Sequence, residues 1–173
     1  LITKLDKEFD KYKKYAIREF KKNNSISDKY YEDFWQSFYK LLEKNARTVI
    51  QESSRFIKTT RLLKQVDDQV STVTYEYVTT NTAQNVTYIT ETTRKKIQSA
   101  IAFSISEGLG QDDTAEVIGK STAFSTTRSK VIARTETHQA YNYGNNKIAG
   151  TLALKKPIKE WLSALDTRTR SWH

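Results

Sequence analysis

Residues 1–107 contain neither glycine nor proline: the first glycine is Gly108 and the only proline is Pro157. These two residues are the strongest breakers of regular structure. A stretch this long without them can turn only where Asn, Asp or Ser cluster, which is the pattern of long helices. Apolar spacing agrees. Ile2, Leu5, Phe9, Tyr12, Ala16 and Phe20 recur at three- and four-residue steps with lysines between them, as on one amphipathic helix. Asn23, Asn24, Ser25 and Ser27 interrupt it with capping and turn residues. A second stripe runs through Tyr31, Phe34, Trp35, Phe38, Leu41, Leu42, Ala46, Val49, Ile50, Phe56 and Ile57, about seven turns and roughly 40 Å. Helices in small domains average about three turns. Part of this stripe is therefore expected to meet the first helix and part to be left for another protein, with Tyr31, Phe34, Trp35 and Phe38 as the docking residues.

From Val70 to Thr93 the pattern is double. Val73, Tyr75 and Tyr77 alternate and threonine is abundant, which favours a strand. Val66, Val70, Val73, Tyr77, Gln84 and Tyr88 keep a near-heptad step, and no turn residues bracket a hairpin, so a helix with a break near Asn81 is expected. A helix over Glu91 to Glu107 should stop at Gly108-Leu109-Gly110. Asp112 and Asp113 then cap a short helix to about Lys120, and a longer one covers Ser125 to about Asn145. Tyr141-Asn142-Tyr143-Gly144 reads as a helix end, with Gly144 allowing a close approach. After Pro157, Asp166 to Arg170 alternates strictly, as in an extended segment. The expected fold is mainly α, with long N-terminal helices and a small α+β C-terminal unit containing one or more short strands. Its boundary falls near 81–90, giving a long-helix region over 1–90 and a second unit over 91–173.

The net charge of +9 favours polyanionic neighbours. It is spread evenly along the chain: 19 Lys and Arg against 13 Asp and Glu in residues 1–100, and 10 against 7 beyond. No run of like charge marks a docking stripe, and a solvated basic surface accounts for it equally well. Weak, sequence-independent DNA binding is the corresponding expectation. With no cysteine, disulfides, thiolate metal sites and thiol nucleophiles are excluded. No apolar run approaches the roughly 20 residues a bilayer span needs. The chain begins at Leu1 and has no methionine, which reads as part of a longer protein.

Two segments place polar groups among apolar ones. Ile132-Ala133-Arg134-Thr135-Glu136 sits inside a helical pattern, and Trp161 leads to Asp166, Arg168, Thr169, Arg170, Trp172 and His173. Arg134 and Glu136 lie about 200° apart on a helix and cannot pair with each other. Asp166, Arg168 and Arg170 share one face of an extended chain. Bidentate pairs of Glu136 with Arg168 or Arg170, and of Arg134 with Asp166, would clasp the segments together. The other reading is a hydrolase or transferase site built from Glu136, Asp166 and His173. His138 and His173 are the only histidines, and no metal-ligand spacing is present. Neither a phosphate-cradling loop nor a nucleophile elbow occurs, so no cofactor, metal or catalytic residue is assigned.

Ile132 to Glu136, Asn142, Gly144, Trp161, Asp166, Arg168 to Arg170 and His173 resemble the signature of the phage head morphogenesis family, the Mu F-like minor head proteins. The resemblance spans roughly Arg94 to His173, and family members usually run on past the final histidine. It implies a non-enzymatic minor head protein of a tailed bacteriophage, attached to the portal and acting in head assembly, DNA packaging, retention or ejection. The implied partners are the portal protein, the major capsid protein and phage DNA without sequence preference, with no membrane. The implied location is the virion, in the head interior or at the portal vertex, after assembly in the host cytoplasm.

Overall fold

The computed structural model describes residues 1–55 and 63–151. Among the described residues six α-helices follow one another: α1 (Ile2–Asn23), α2 (Asp28–Ser54), α3 (Leu63–Tyr77), α4 (Ala83–Ser106), α5 (Gln111–Lys120) and α6 (Thr126–Thr151). A π-helical turn, Val78–Thr82, joins α3 to α4, and a 3-10 turn, Thr122–Phe124, precedes α6.

Local chemistry sets the ends. Asn24, with φ 55°, closes α1 by donating its N–H to the Phe20 carbonyl. Ser27 caps α2 by accepting from the Tyr30 N–H, while the Glu19 carboxylate accepts from the Ser27 N–H at 3.0 Å and fixes the turn. Gly108, with φ 64°, ends α4 in a Schellman arrangement: its N–H reaches the Ile105 carbonyl and that of Leu109 reaches Ser104.

No strand occurs among the described residues. The expected α+β C-terminal unit is overturned: residues 91–151 are helices and short turns, and the segment expected to be extended, after Pro157, lies outside the described residues. The ambiguous stretch 70–93 is helical with a π turn at the expected break. Its threonines do not force a strand because their hydroxyls turn back on the helix. Thr72, Thr80, Thr87, Thr90, Thr92 and Thr93 each donate to the carbonyl four residues earlier. That local satisfaction, with Val73 and Tyr77 buried one turn apart and Tyr75 exposed, outweighs β propensity.

The main core joins α1, α2, α4, α5 and α6. At its centre Phe34 and Phe38 stack at 4.2 Å, Phe9 tilts onto Phe38 at 4.8 Å, and Tyr12 meets Phe34 edge-on at 5.1 Å. Two of the buried phenols are satisfied here: Tyr12 donates to the Asp33 carbonyl and Tyr30 to that of Tyr12. A second cluster joins α2, α3 and α6 through Ala46, Ile50, Val73, Tyr77, Ala140 and Ile148.

This packing corrects the expected docking residues. Phe34 and Phe38 have no exposure and Tyr31 has 5 %, because α1 and α4 cover the stripe of α2 from within the chain. Arg94 lies over the Tyr31 ring at 4.1 Å and pairs with Asp28. The partly buried Trp35 donates its indole N–H to Thr87.

Candidate functional site

Helix α6 carries the motif residues and turns three faces to three neighbours. The first face buries Glu136 at 7 % exposure. Its Oε2 accepts from the Asn85 amide of α4 at 3.1 Å, and the same amide donates to Gln139 at 2.9 Å. Burial lifts the Glu136 carboxyl above the usual glutamate value of about 4.5, and the Asn85 hydrogen bond only partly opposes this. The neighbouring Tyr77 hydroxyl is buried without a hydrogen-bond partner among the described residues. Burial and the Glu136 charge both push its pKa up.

The second face is a shallow groove against the start of α1, lined by Leu1, Ile2, Lys130, Arg134, His138 and Tyr141. Arg134 and His138 are exposed there, as are the nearby Thr135 and Asn142. Arg134 and Glu136 thus look out on different sides of α6, as their spacing requires. Asp166, Arg168, Arg170, His173 and Trp161 lie outside the described residues, so the expected clasp pairs and the expected catalytic grouping have one visible side each.

The third face is Gly144, which is buried. A methyl group there would lie 2.7 Å from the Ser53 hydroxyl and 3.2 Å from the Ile50 side chain. The glycine does not end the helix, which runs on to Thr151; it lets α6 approach α2 closely. Gly144→Ala is expected to cost about 1–3 kcal/mol through overpacking, read as a lower chemical-denaturation midpoint. An unchanged midpoint would show that the two helices are not held this close.

The Glu136 shift sets a pH dependence. With its carboxyl raised, the folded state holds the proton more tightly than the unfolded chain does. The stabilising contribution is therefore complete below about pH 4.5 and is lost as pH rises through the folded value. Glu136→Gln is expected to raise the unfolding midpoint at pH 7, with the difference from wild type shrinking toward pH 4.5. A loss of stability at pH 7 would instead mark an ion pair from Arg168 or Arg170, the pairing the sequence suggests.

Two participants escaped the sequence reading. Asn85 gave no signal beyond one polar residue in a threonine-rich stretch. Arg128 had one: a cation in the first turn of a helix opposes the helix dipole. Its guanidinium donates to the carbonyls of Ile89 (2.8 Å) and Ala123 (2.6 Å) and to the Thr93 hydroxyl (2.9 Å), and lies over the Phe9 ring. Burial lowers its pKa to about 10.

Among the described residues no group of three or more His, Cys, Asp or Glu is placed to hold a metal ion, and no helix is long and apolar enough to cross a membrane. Of the described motif positions, Glu136 and Gly144 pack α6 against α4 and α2. Residues 95–173 match the family model described as phage Mu protein F like protein. The matched part, which begins within α4 and takes in α5 and α6, is similar to that family of phage head proteins. No curated protein and no solved structure matches the chain.

Proposed function

We propose that the chain is a minor head protein of a tailed phage, a non-enzymatic component attached at the portal vertex and acting in head assembly, DNA packaging or ejection. The observation that carries this reading is the family match over residues 95–173. The packing role of Gly144 and the burial of Glu136 support it, because both motif residues serve the join between helices. The portal protein is the main proposed partner and the major capsid protein a second. Attachment through Phe34 and Phe38 is not part of the proposal, since both are core.

The test is quantitative mass spectrometry of purified procapsids and virions, with and without the portal protein. A low-copy signal that disappears from portal-less procapsids is the expected outcome. A signal unchanged without the portal would move attachment to the capsid shell. Absence from all particles would sink the structural reading.

A further inference from the structure

The charge that is evenly distributed along the sequence becomes a line on the folded surface of α1. One face of α1 is consumed by the core: Leu5, Phe9, Tyr12, Ala16 and Phe20 are buried. The opposite face exposes Lys4, Lys7, Lys11, Lys14, Arg18, Lys21 and Lys22. From Lys4 to Lys21 the steps are three, four, three, four and three. At 100° per residue these cations stay within about 100° of arc, and they extend for about 27 Å. Helix α1 holds eight Lys and Arg against four Asp and Glu, a net +4, and Glu19 is turned inward onto the α2 cap. By the same count α2, α3 and α5 are net negative.

Three of the cations have carboxylate neighbours: Lys11 with Glu8, Lys14 with Asp10 and Lys21 with Asp112. These are surface pairs, each worth little and open to exchange for a stronger anion. Lys4, Lys7, Arg18 and Lys22 have no carboxylate partner among the described residues. Arg18 instead lies 5.5 Å over the Tyr15 ring. Side by side, Lys7, Lys11, Lys14, Tyr15 and Arg18 line a shallow groove along the helix, with Asp10 as the one carboxylate in it, paired with Lys14.

We propose that this face of α1 is a docking surface for the phosphate backbone of a nucleic-acid duplex, read without sequence preference. A regular polyanion needs regularly spaced cations and nothing else, and a line of about 27 Å runs past roughly eight phosphates of one strand. A membrane surface fits less well, because an interfacial helix must bury its apolar face in lipid, and that of α1 is already in the core. A protein partner would require an apolar anchor at the centre of the patch, and none stands on this stripe. A single strand would require exposed rings for base stacking, whereas Tyr15 is packed against Tyr12 and Tyr30. The inference rests on α1 alone, which precedes the family match, and does not depend on the head assignment.

The test is duplex binding by the full chain, followed by fluorescence anisotropy with a random 30-base-pair DNA across a salt series. In one variant Lys4, Lys7, Arg18 and Lys22 become Gln. In a control of equal charge Lys40, Lys44, Lys95 and Lys130 become Gln. All eight positions lack ion pairs among the described residues, so both variants are expected to keep the wild-type circular dichroism and melting curve. The α1 variant should lose about tenfold or more in affinity at low salt, with a salt slope shallower by about 3–4 units, near 0.9 per phosphate contact removed. The control should lose far less. Equal losses in the two variants would assign binding to net charge and overturn the stripe. Failure of the wild-type chain to bind duplex at low salt, or equally tight binding to polyglutamate, would overturn the nucleic-acid partner.

Discussion

Replacing Phe38 with alanine is expected to lower the free energy of unfolding by about 3–5 kcal/mol, the usual cost of deleting a buried aromatic ring. The ring is fully enclosed, stacked on Phe34 and tilted against Phe9. It joins α1 to α2, so neighbours on both helices lose contacts and the cavity has little means of collapsing. Small domains are stable by only about 5–15 kcal/mol, and this one change removes a large share of that. The measurement is a urea midpoint by circular dichroism, with Trp35→Ala as comparison. Trp35 is only partly buried and should cost less. The pair separates core from docking surface: a Phe38→Ala loss below about 1 kcal/mol, with the fold otherwise intact, would return Phe38 to the surface.

That contrast shows where the sequence was legible. Helical periodicity identified the stripe from Tyr31 to Ile50, since burial at three- and four-residue steps is a local property. Which neighbour covers a stripe depends on the turn at Asn24 and Ser27, on the length of α4, and on Trp35 reaching Thr87. Those are distant relationships, so a stripe taken as too long for the chain to cover proved to be buried by it at Tyr31, Phe34, Phe38, Leu42, Ala46 and Ile50, while Phe56 and Ile57 lie outside the described residues. Near Tyr75 the near-heptad step outweighed the strand-like alternation, and the stretch is helical with its break at Val78–Thr82. The hydroxyl-to-carbonyl bonds that let so many threonines sit in a helix left no mark on the sequence. The charge stripe was missed because linear counting is blind to angle: lysines three and four apart dilute one another along the chain and align on the helix.

At the motif helix, Gly144 was read as allowing close approach, and its contact with Ser53 and Ile50 supplies the reason. Glu136 was singled out for standing in an apolar pattern, and it is buried. Its Asn85 partner sits 51 residues away, and no spacing rule reaches that far.

Arg128→Met is expected to cost about 2–4 kcal/mol, the second-largest effect. Hydrogen bonds to a charged donor are worth about 1.5–3 kcal/mol each when a partner is removed. Here one guanidinium, from the start of α6, serves two carbonyls and a hydroxyl on two other segments, α4 and the 3-10 turn. Two effects oppose the loss. Removing a buried cation that has no carboxylate among its described partners relieves its desolvation, and the Ile89 carbonyl keeps the Thr93 hydroxyl as a donor. The Ala123 carbonyl has no such substitute among the described residues, so the balance stays unfavourable. Lysine should recover only part of the difference, since an ammonium lacks the planar fork that spans separated acceptors. Hydrogen exchange locates the effect. Protection should fall in the 3-10 turn and the first turns of α6 before it falls in the α1–α2 aromatic core. If Arg128→Met melts like the wild type, the guanidinium does not tie α6 to α4, and the helix carrying the family motif must be held by its Gly144 contact and the surrounding apolar packing alone.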